Sequence, residues 1–270
     1  MNSNPQETEA TIATWDPPCI ECGDLIGREV RAGYYVGEVR CGKCRGQADA
    51  ERLRGSGVPR WFIDEGKSLD NFETRGAMPL TRALEQCHAL IHPKLLDLER
   101  RWVVLSGDVG SGKSHLGAGV VAKAIGELHA AAAFTTFDRI LLEITSSYGA
   151  GDGSIGPTSL EIVDRYGMNI TFLAIDDVGV EQPTAHTIQM LYRILNDRLN
   201  SRLPTILTTN YPLEKKLCRA GQPTLGERLS EKLSDDTPVR RILDRIAGEA
   251  FYQHLDVTSY RRTKGRTPNV

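Results

Sequence analysis

Gly107-Asp108-Val109-Gly110-Ser111-Gly112-Lys113-Ser114 follows the apolar run Trp102–Ser106 and opens a stretch of helical character, Gly112–Leu128. The octapeptide fits G-x-x-x-x-G-K-[ST], and a strand before it with a helix after it is the context that pattern requires. Glycines let the backbone curl so that successive N–H groups point at a phosphate, and the helix behind them adds the positive end of its dipole. Lys113 is then placed to reach the β- and γ-phosphates of ATP, and the Ser114 hydroxyl to ligate Mg²⁺. Gly107 to Ser114, with His115 next along the helix, are the expected nucleotide contacts.

A phosphate loop calls for an acidic site on a neighbouring strand. Phe172-Leu173-Ala174-Ile175-Asp176-Asp177 supplies four apolar residues and then two carboxylates. Alone this is an ordinary solvated strand end; after a phosphate loop it is the Walker B pattern. Asp176 is the expected Mg²⁺ partner through water, and Asp177 the group that orients or deprotonates the attacking water. Asp177 is shorter than the Glu often found there. Thr205-Ile206-Leu207-Thr208-Thr209 ends at Asn210, whose amide can hydrogen-bond the γ-phosphate or that water. A Thr-Asn pair is otherwise a common turn signal, and its order after Asp176 gives it meaning.

Around these motifs short apolar runs alternate with helical segments. Trp102–Ser106, Ala132–Phe137, Ile170–Ile175 and Thr205–Thr209 read as buried strands, and Phe251–Val257 as a more exposed one. Asp138–Ser147 and Thr184–Arg202 read as helices. The pattern predicts an α/β fold, a parallel five-stranded sheet with helices on both faces. Upstream, Leu80–Leu98 has near-helical apolar spacing that Pro93 should break, and Gln47–Arg54 reads as a short helix.

The N-terminal region has a different character. Residues 1–16 are polar and aperiodic and predict a disordered tail. Residues 17–54 hold too few large apolar side chains to make a core unaided. Cys19-x₂-Cys22 and Cys41-x₂-Cys44, 18 residues apart, have the spacing of a structural zinc ribbon, whose four thiolates leave no open coordination position. A redox CxxC is the rival reading. Cys87 and Cys218 are left as packing residues. Gly55-Ser56-Gly57-Val58-Pro59 predicts a linker within residues 55–100, which also hold the lead-in helix, and residues 101–270 form the ATPase domain.

A formal net charge of −2 gives no global field to hold nucleic acid, so contact with DNA would be local. Arg28, Arg31, Arg40, Lys43 and Arg45 around the cysteines, and Tyr148 after a helix, are candidates for such contact. The longest apolar runs fall far short of the roughly 20 residues a bilayer demands, and no leader opens the chain, which points to the cytoplasm.

From about Val58 to Arg261 the chain resembles the AAA+ helicase loaders of the DnaC type and the related IstB-type transposition ATPases. The resemblance rests on Gly107–Ser114, Ile175-Asp176-Asp177-Val178-Gly179, Leu207-Thr208-Thr209-Asn210, Leu243-Asp244-Arg245-Ile246 and Ser259-Tyr260-Arg261. Val58-Pro59 and Leu69-Asp70-Asn71-Phe72 resemble the family's lead-in segment. The resemblance implies that Arg245 reaches the γ-phosphate of a neighbouring subunit and that Arg261 senses nucleotide in its own. Gly226-Glu227-Arg228 and Lys232 match the family's G-E-R element in a second register, so Arg228 and Lys232 compete with Arg245 for the first role, and residues 233–240 look like an insertion. The implied activity is Mg²⁺-dependent ATP hydrolysis in a homo-oligomer, with a replicative helicase and single-stranded DNA as partners. The other implied function is transposition, with a transposase and duplex DNA. A metabolic kinase is disfavoured, because no lid or substrate-specific cluster is evident.

Overall fold

The computed structural model describes the backbone of residues 11–15, 26–31, 34–39, 42–92, 100–147, 156–180 and 184–260, and side chains from residue 48 onward. Three strands come first: β1 (Thr11–Trp15), β2 (Ile26–Arg31) and β3 (Tyr34–Val39), antiparallel in the order β1-β2-β3. The expected tail to residue 16 is therefore corrected at its end. Thr11, Ile12, Thr14 and Trp15 are β-branched or aromatic, types that favour a strand, and the polar residues ahead of them hid the signal. Cys19, Cys22 and Cys41 lie outside the described residues. Cys44 falls in helix α1 (Gly42–Gly55), which begins before the expected Gln47 because Lys43, Arg45, Gln47 and Ala48 are all good helix formers.

The predicted linker is not one. The Phe134 N–H donates to the Ser56 carbonyl at 2.7 Å, and Ser56 and Val58 are buried. Gly57 takes φ +80°, and a Cβ there would stand 2.1 Å from the Phe134 carbonyl oxygen. The glycine serves close approach to a strand edge rather than freedom. Behind it, α1 is tied down where Arg52 donates to the His129 carbonyl at 3.2 Å and Asp49 meets His129 Nδ1 at 2.9 Å. The short α2 (Arg60–Asp64) and α3 (Met78–Ala89) follow. Helix α3 stops short of the expected Leu98, although Leu90 and Ile91 remain buried beyond its end.

The main sheet has five parallel strands: β4 (Trp102–Gly107), β5 (Ala132–Thr136), β6 (Phe172–Asp176), β7 (Thr205–Thr209) and β8 (Ala250–Leu255), in the order β5-β6-β7-β4-β8. Strands β4, β6 and β7 are buried along their whole length, while β8 is only partly covered at the edge. One face packs on α3 and α4 (Lys113–Leu128), through Leu80, Leu116, Val120 and Val121, with Phe62 and Leu69 of the lead-in segment. The other packs on α5 (Phe137–Ser146), α6 (Ser159–Asp164), α7 (Ala185–Asn200) and, after the short α8 (Leu225–Ser230), α9 (Thr237–Glu249). Ile140, Ile188, Leu191, Ile242 and Ile246 fill that layer, each side chain contributing about 1.5–3 kcal/mol by leaving water.

Arg198 on α7 is fully buried. Its guanidinium donates to the carbonyls of Tyr166, Ile170, Thr171 and Pro204 and to Thr205 Oγ1, at 2.7–2.9 Å. These acceptors lie ahead of β6 and at the start of β7, so one side chain fixes where both strands start. Burial pushes its pKa down to about 9, which leaves it charged at neutral pH. Of the two remaining cysteines, Cys87 is buried in the core and its thiol is pushed up to about 12 by burial, so it is inert packing. Cys218 is partly exposed. Tyr148 and residues 149–155 lie outside the described residues. Among the described residues no helix is long and apolar enough to cross a membrane.

Candidate active site

The C-terminal ends of β4, β6 and β7 converge because the three strands are adjacent, parallel and in register. At the end of β4 the chain turns through Gly110 (φ +82°) and Gly112 (φ +103°) before α4 begins at Lys113. These angles lie in the left-handed region, which a side chain would make costly. Gly110 is fixed twice over, since a Cβ there would stand 2.1 Å from Ser259 Oγ.

Lys113 is buried, and its ammonium donates to the Gly107 carbonyl at 2.8 Å, the Asp108 carbonyl at 2.9 Å and Ser111 Oγ at 3.5 Å. The cation is thus held at the loop by two backbone carbonyls and a serine hydroxyl. Ser114 Oγ donates to Asp176 Oδ1 at 3.1 Å, and the Thr208 hydroxyl donates to the same oxygen. Burial raises the Asp176 pKa, against the lowering effect of those two donors. A buried carboxylate beside a serine hydroxyl suits a hard cation, which prefers oxygen donors and restores the charged form. The residues present therefore fit Mg²⁺, which Ser114 and Asp176 would hold.

Asp177 follows with φ +56°, a left-handed conformation uncommon outside glycine and costly to hold. Its N–H is held by Thr208 Oγ1 at 3.1 Å, and Thr209 Oγ1 donates to the Val178 carbonyl at 2.6 Å. The two threonines therefore fix the turn that carries both acids. Sequence reasoning quoted Thr208 within a motif but gave it no task. The signal was available, because a hydroxyl inside a buried strand needs a partner.

Asn210 directly follows β7 and stands half-buried, its carbonyl accepting from Gln222 Nε2 at 3.2 Å. His115 sits among Phe62, Phe72 and Trp61, with ring centroids at 5.3, 4.9 and 6.3 Å. Its Nε2 lies 2.9 Å from the Ser68 carbonyl, and burial, the largest influence, lowers its pKa. The neutral ring with Nε2 protonated satisfies that contact. A cavity of about 460 Å³ opens between the loop and the lead-in segment, lined by Trp61, Phe72, Arg75, Gly110–His115 and Tyr260 among others. Phe72 and Arg75 were not singled out as site residues from the sequence.

The C-terminal element folds onto the loop. The Tyr260 N–H donates to the Gly110 carbonyl at 2.9 Å, and Arg75 holds the Thr258 carbonyl at 3.1 Å with its guanidinium 5.7 Å from the Tyr260 ring centroid. Arg261 is outside the described residues. Arg245 lies elsewhere: its Nη2 donates to the Tyr192 hydroxyl at 3.3 Å, and its guanidinium stands 5.5 Å from that ring's centroid. Arg228 is bound to the carbonyls of Gly179 at 3.0 Å and Val180 at 2.8 Å, and Lys232 is exposed.

A family model described as IstB-like ATP binding protein matches residues 96–267. No curated protein matches the chain. In fold it is similar to AMPPCP-bound DnaA from Aquifex aeolicus, at 19% identity over 73% of this chain and 52% of that one, with a TM-score of 0.53. It is also similar to DnaI (18% identity, 73% and 94% covered, TM-score 0.53) and to the DnaC helicase loader (18%, 71% and 97%, 0.52). The chain spans about half the length of that DnaA. At such identities the likeness establishes the fold alone, an α/β domain with a parallel five-stranded sheet. With the matched residues running from before β4 to beyond β8, the chain belongs to the family of IstB-like ATP binding proteins and is an ATPase.

Proposed function

We propose that this ATPase loads a replicative helicase onto single-stranded DNA, working as a homo-oligomer with ATP at its subunit interfaces. The observation that carries its chemistry is the meeting of Ser114, Asp176 and Thr208 beneath the Lys113 loop. In this reading Gly107, Asp108, Val109, Gly110, Ser111, Gly112 and Lys113 wrap the phosphates. Bound Mg²⁺ would neutralise charge on the phosphoryl oxygens. Asp177 orients the attacking water, Asn210 senses the γ-phosphate, and Arg261 senses the nucleotide of its own subunit. Likeness in fold over nearly the whole of the DnaI and DnaC chains supports the helicase assignment.

The family match to IstB-like proteins favours a second reading, a transposition ATPase on duplex DNA. The purified chain, with ATP and Mg²⁺, should bind a fluorescent single strand at least ~10-fold more tightly than the duplex of the same sequence, and should retain the host's replicative helicase on a column. Preference for duplex with no helicase retained would transfer the assignment to transposition.

We further propose that residues 17–54 form a zinc module held by Cys19, Cys22, Cys41 and Cys44, ahead of an ATPase body that takes in the lead-in segment. Cysteine pairs at ribbon spacing support it. Elemental analysis should find about one zinc per chain, lost in Cys41→Ser; unchanged metal content in that variant would refute the ligand set.

A further inference from the structure

Asp108 is the second residue of the phosphate loop, so its carboxylate brings negative charge to the rim of a site that takes a polyphosphate. That carboxylate is paired with the guanidinium of Arg219, far along the chain. Both side chains are substantially exposed, 70% for Arg219 and 44% for Asp108. Water screens such a pair, and it contributes little to stability. Its weight must be sought in the ligand.

The turn that carries Arg219 is built to present it. The Arg219 N–H donates to Gln222 Oε1 at 3.0 Å, and the Gln222 N–H returns a bond to the Arg219 carbonyl at 2.9 Å. The other end of the Gln222 amide donates to the Asn210 carbonyl at 3.2 Å. Gly221 closes the turn at φ +77°. One compact turn thus spans from the start of the phosphate loop to the residue that follows β7. On the neighbouring edge, His254 Nδ1 lies 2.8 Å from Ser106 Oγ. Burial lowers its pKa, so at neutral pH it brings no compensating positive charge to Asp108. Lys113 is directed to backbone carbonyls over the loop.

We infer that Arg219 is a positioning residue for nucleotide, neutralising Asp108 so that the phosphate loop accepts a triphosphate. Through Gln222 the same turn keeps the start of the loop in register with Asn210. This rests on the phosphate-site reading proposed above. An unneutralised Asp108 repels a ligand more strongly the more negative it is, so the penalty must rise from AMP through ADP to ATP.

The test is a set of calorimetric titrations of the full chain with ATP, ADP and AMP. Arg219→Ala should weaken ATP about ten-fold, ADP less and AMP least, and the deficit should shrink as salt is raised. Arg219→Lys, which keeps the charge, should recover most of the loss. In an Asp108→Asn background, Arg219→Ala should add no further weakening. Wild-type affinity in Arg219→Ala, an equal loss for all three nucleotides, or a loss that persists beside Asn at position 108 would each overturn the inference. Failure of the wild-type chain itself to take up ATP would instead refute the phosphate site.

Discussion

Lys113→Ala is expected to lower ATP hydrolysis by at least about 10³-fold, equivalent to about 4 kcal/mol of transition-state stabilisation. The size follows from where the ammonium stands. It is buried and bridges the Gly107 and Asp108 carbonyls of the loop proposed to wrap the phosphates. Charge that grows on the transferred phosphoryl group in a site shielded from water gains far more from a fixed cation than it would in bulk solvent. The loop amides and the dipole of α4 survive the substitution, so ATP uptake should fall less, by about ten-fold. The substitution leaves the Gly107 and Asp108 carbonyls without this donor, so the melt reads any cost to the fold. Steady-state hydrolysis, nucleotide titration and a thermal melt on the same preparation separate these effects. A variant that melts like wild type yet hydrolyses ATP within ten-fold of its rate would remove Lys113 from the site.

The sequence made the central site legible because its parts are local. Glycine spacing, a lysine and a serine on one loop, and two acids after an apolar run are each read within eight residues, and strand–helix alternation orders them in space. What stayed hidden depends on contacts between distant segments. Thr208 matters through an aspartate on the neighbouring strand, and Arg219 through an aspartate 111 residues earlier in the chain. Neither has a periodic signature. Gly57 misled for a related reason: glycine looks the same in sequence whether it supplies freedom or makes room for a neighbouring carbonyl. Arg198 escaped notice because a lone arginine in a helix reads as surface. Only the fold shows five acceptors closing around it.

Arg245→Ala should leave ATP binding intact while reducing hydrolysis by about 10³-fold, the scale expected for an arginine donated across an interface. Within one chain the contacts of Arg245 are to Tyr192, on the α7–α9 side, and none is to the phosphate loop or to Asp176. A guanidinium held there reaches a phosphate only if that phosphate belongs to another copy. In the competing register Arg228 is held by two carbonyls behind the acidic turn, while Lys232 is exposed. Releasing Arg228 would leave those acceptors unpaired. If the site is shared, Arg245→Ala and Asp177→Asn chains are each inactive for opposite reasons. The first keeps its acids and lacks its contribution to the neighbour, and the second keeps the arginine and lacks the base. Random mixing in equal amounts then restores about one quarter of the wild-type rate, because an interface works only when an Arg245→Ala site meets an Asp177→Asn neighbour. Simple addition of two inactive proteins gives nothing, so activity that never exceeds the sum of the separate variants at any ratio would show that each chain completes its own site.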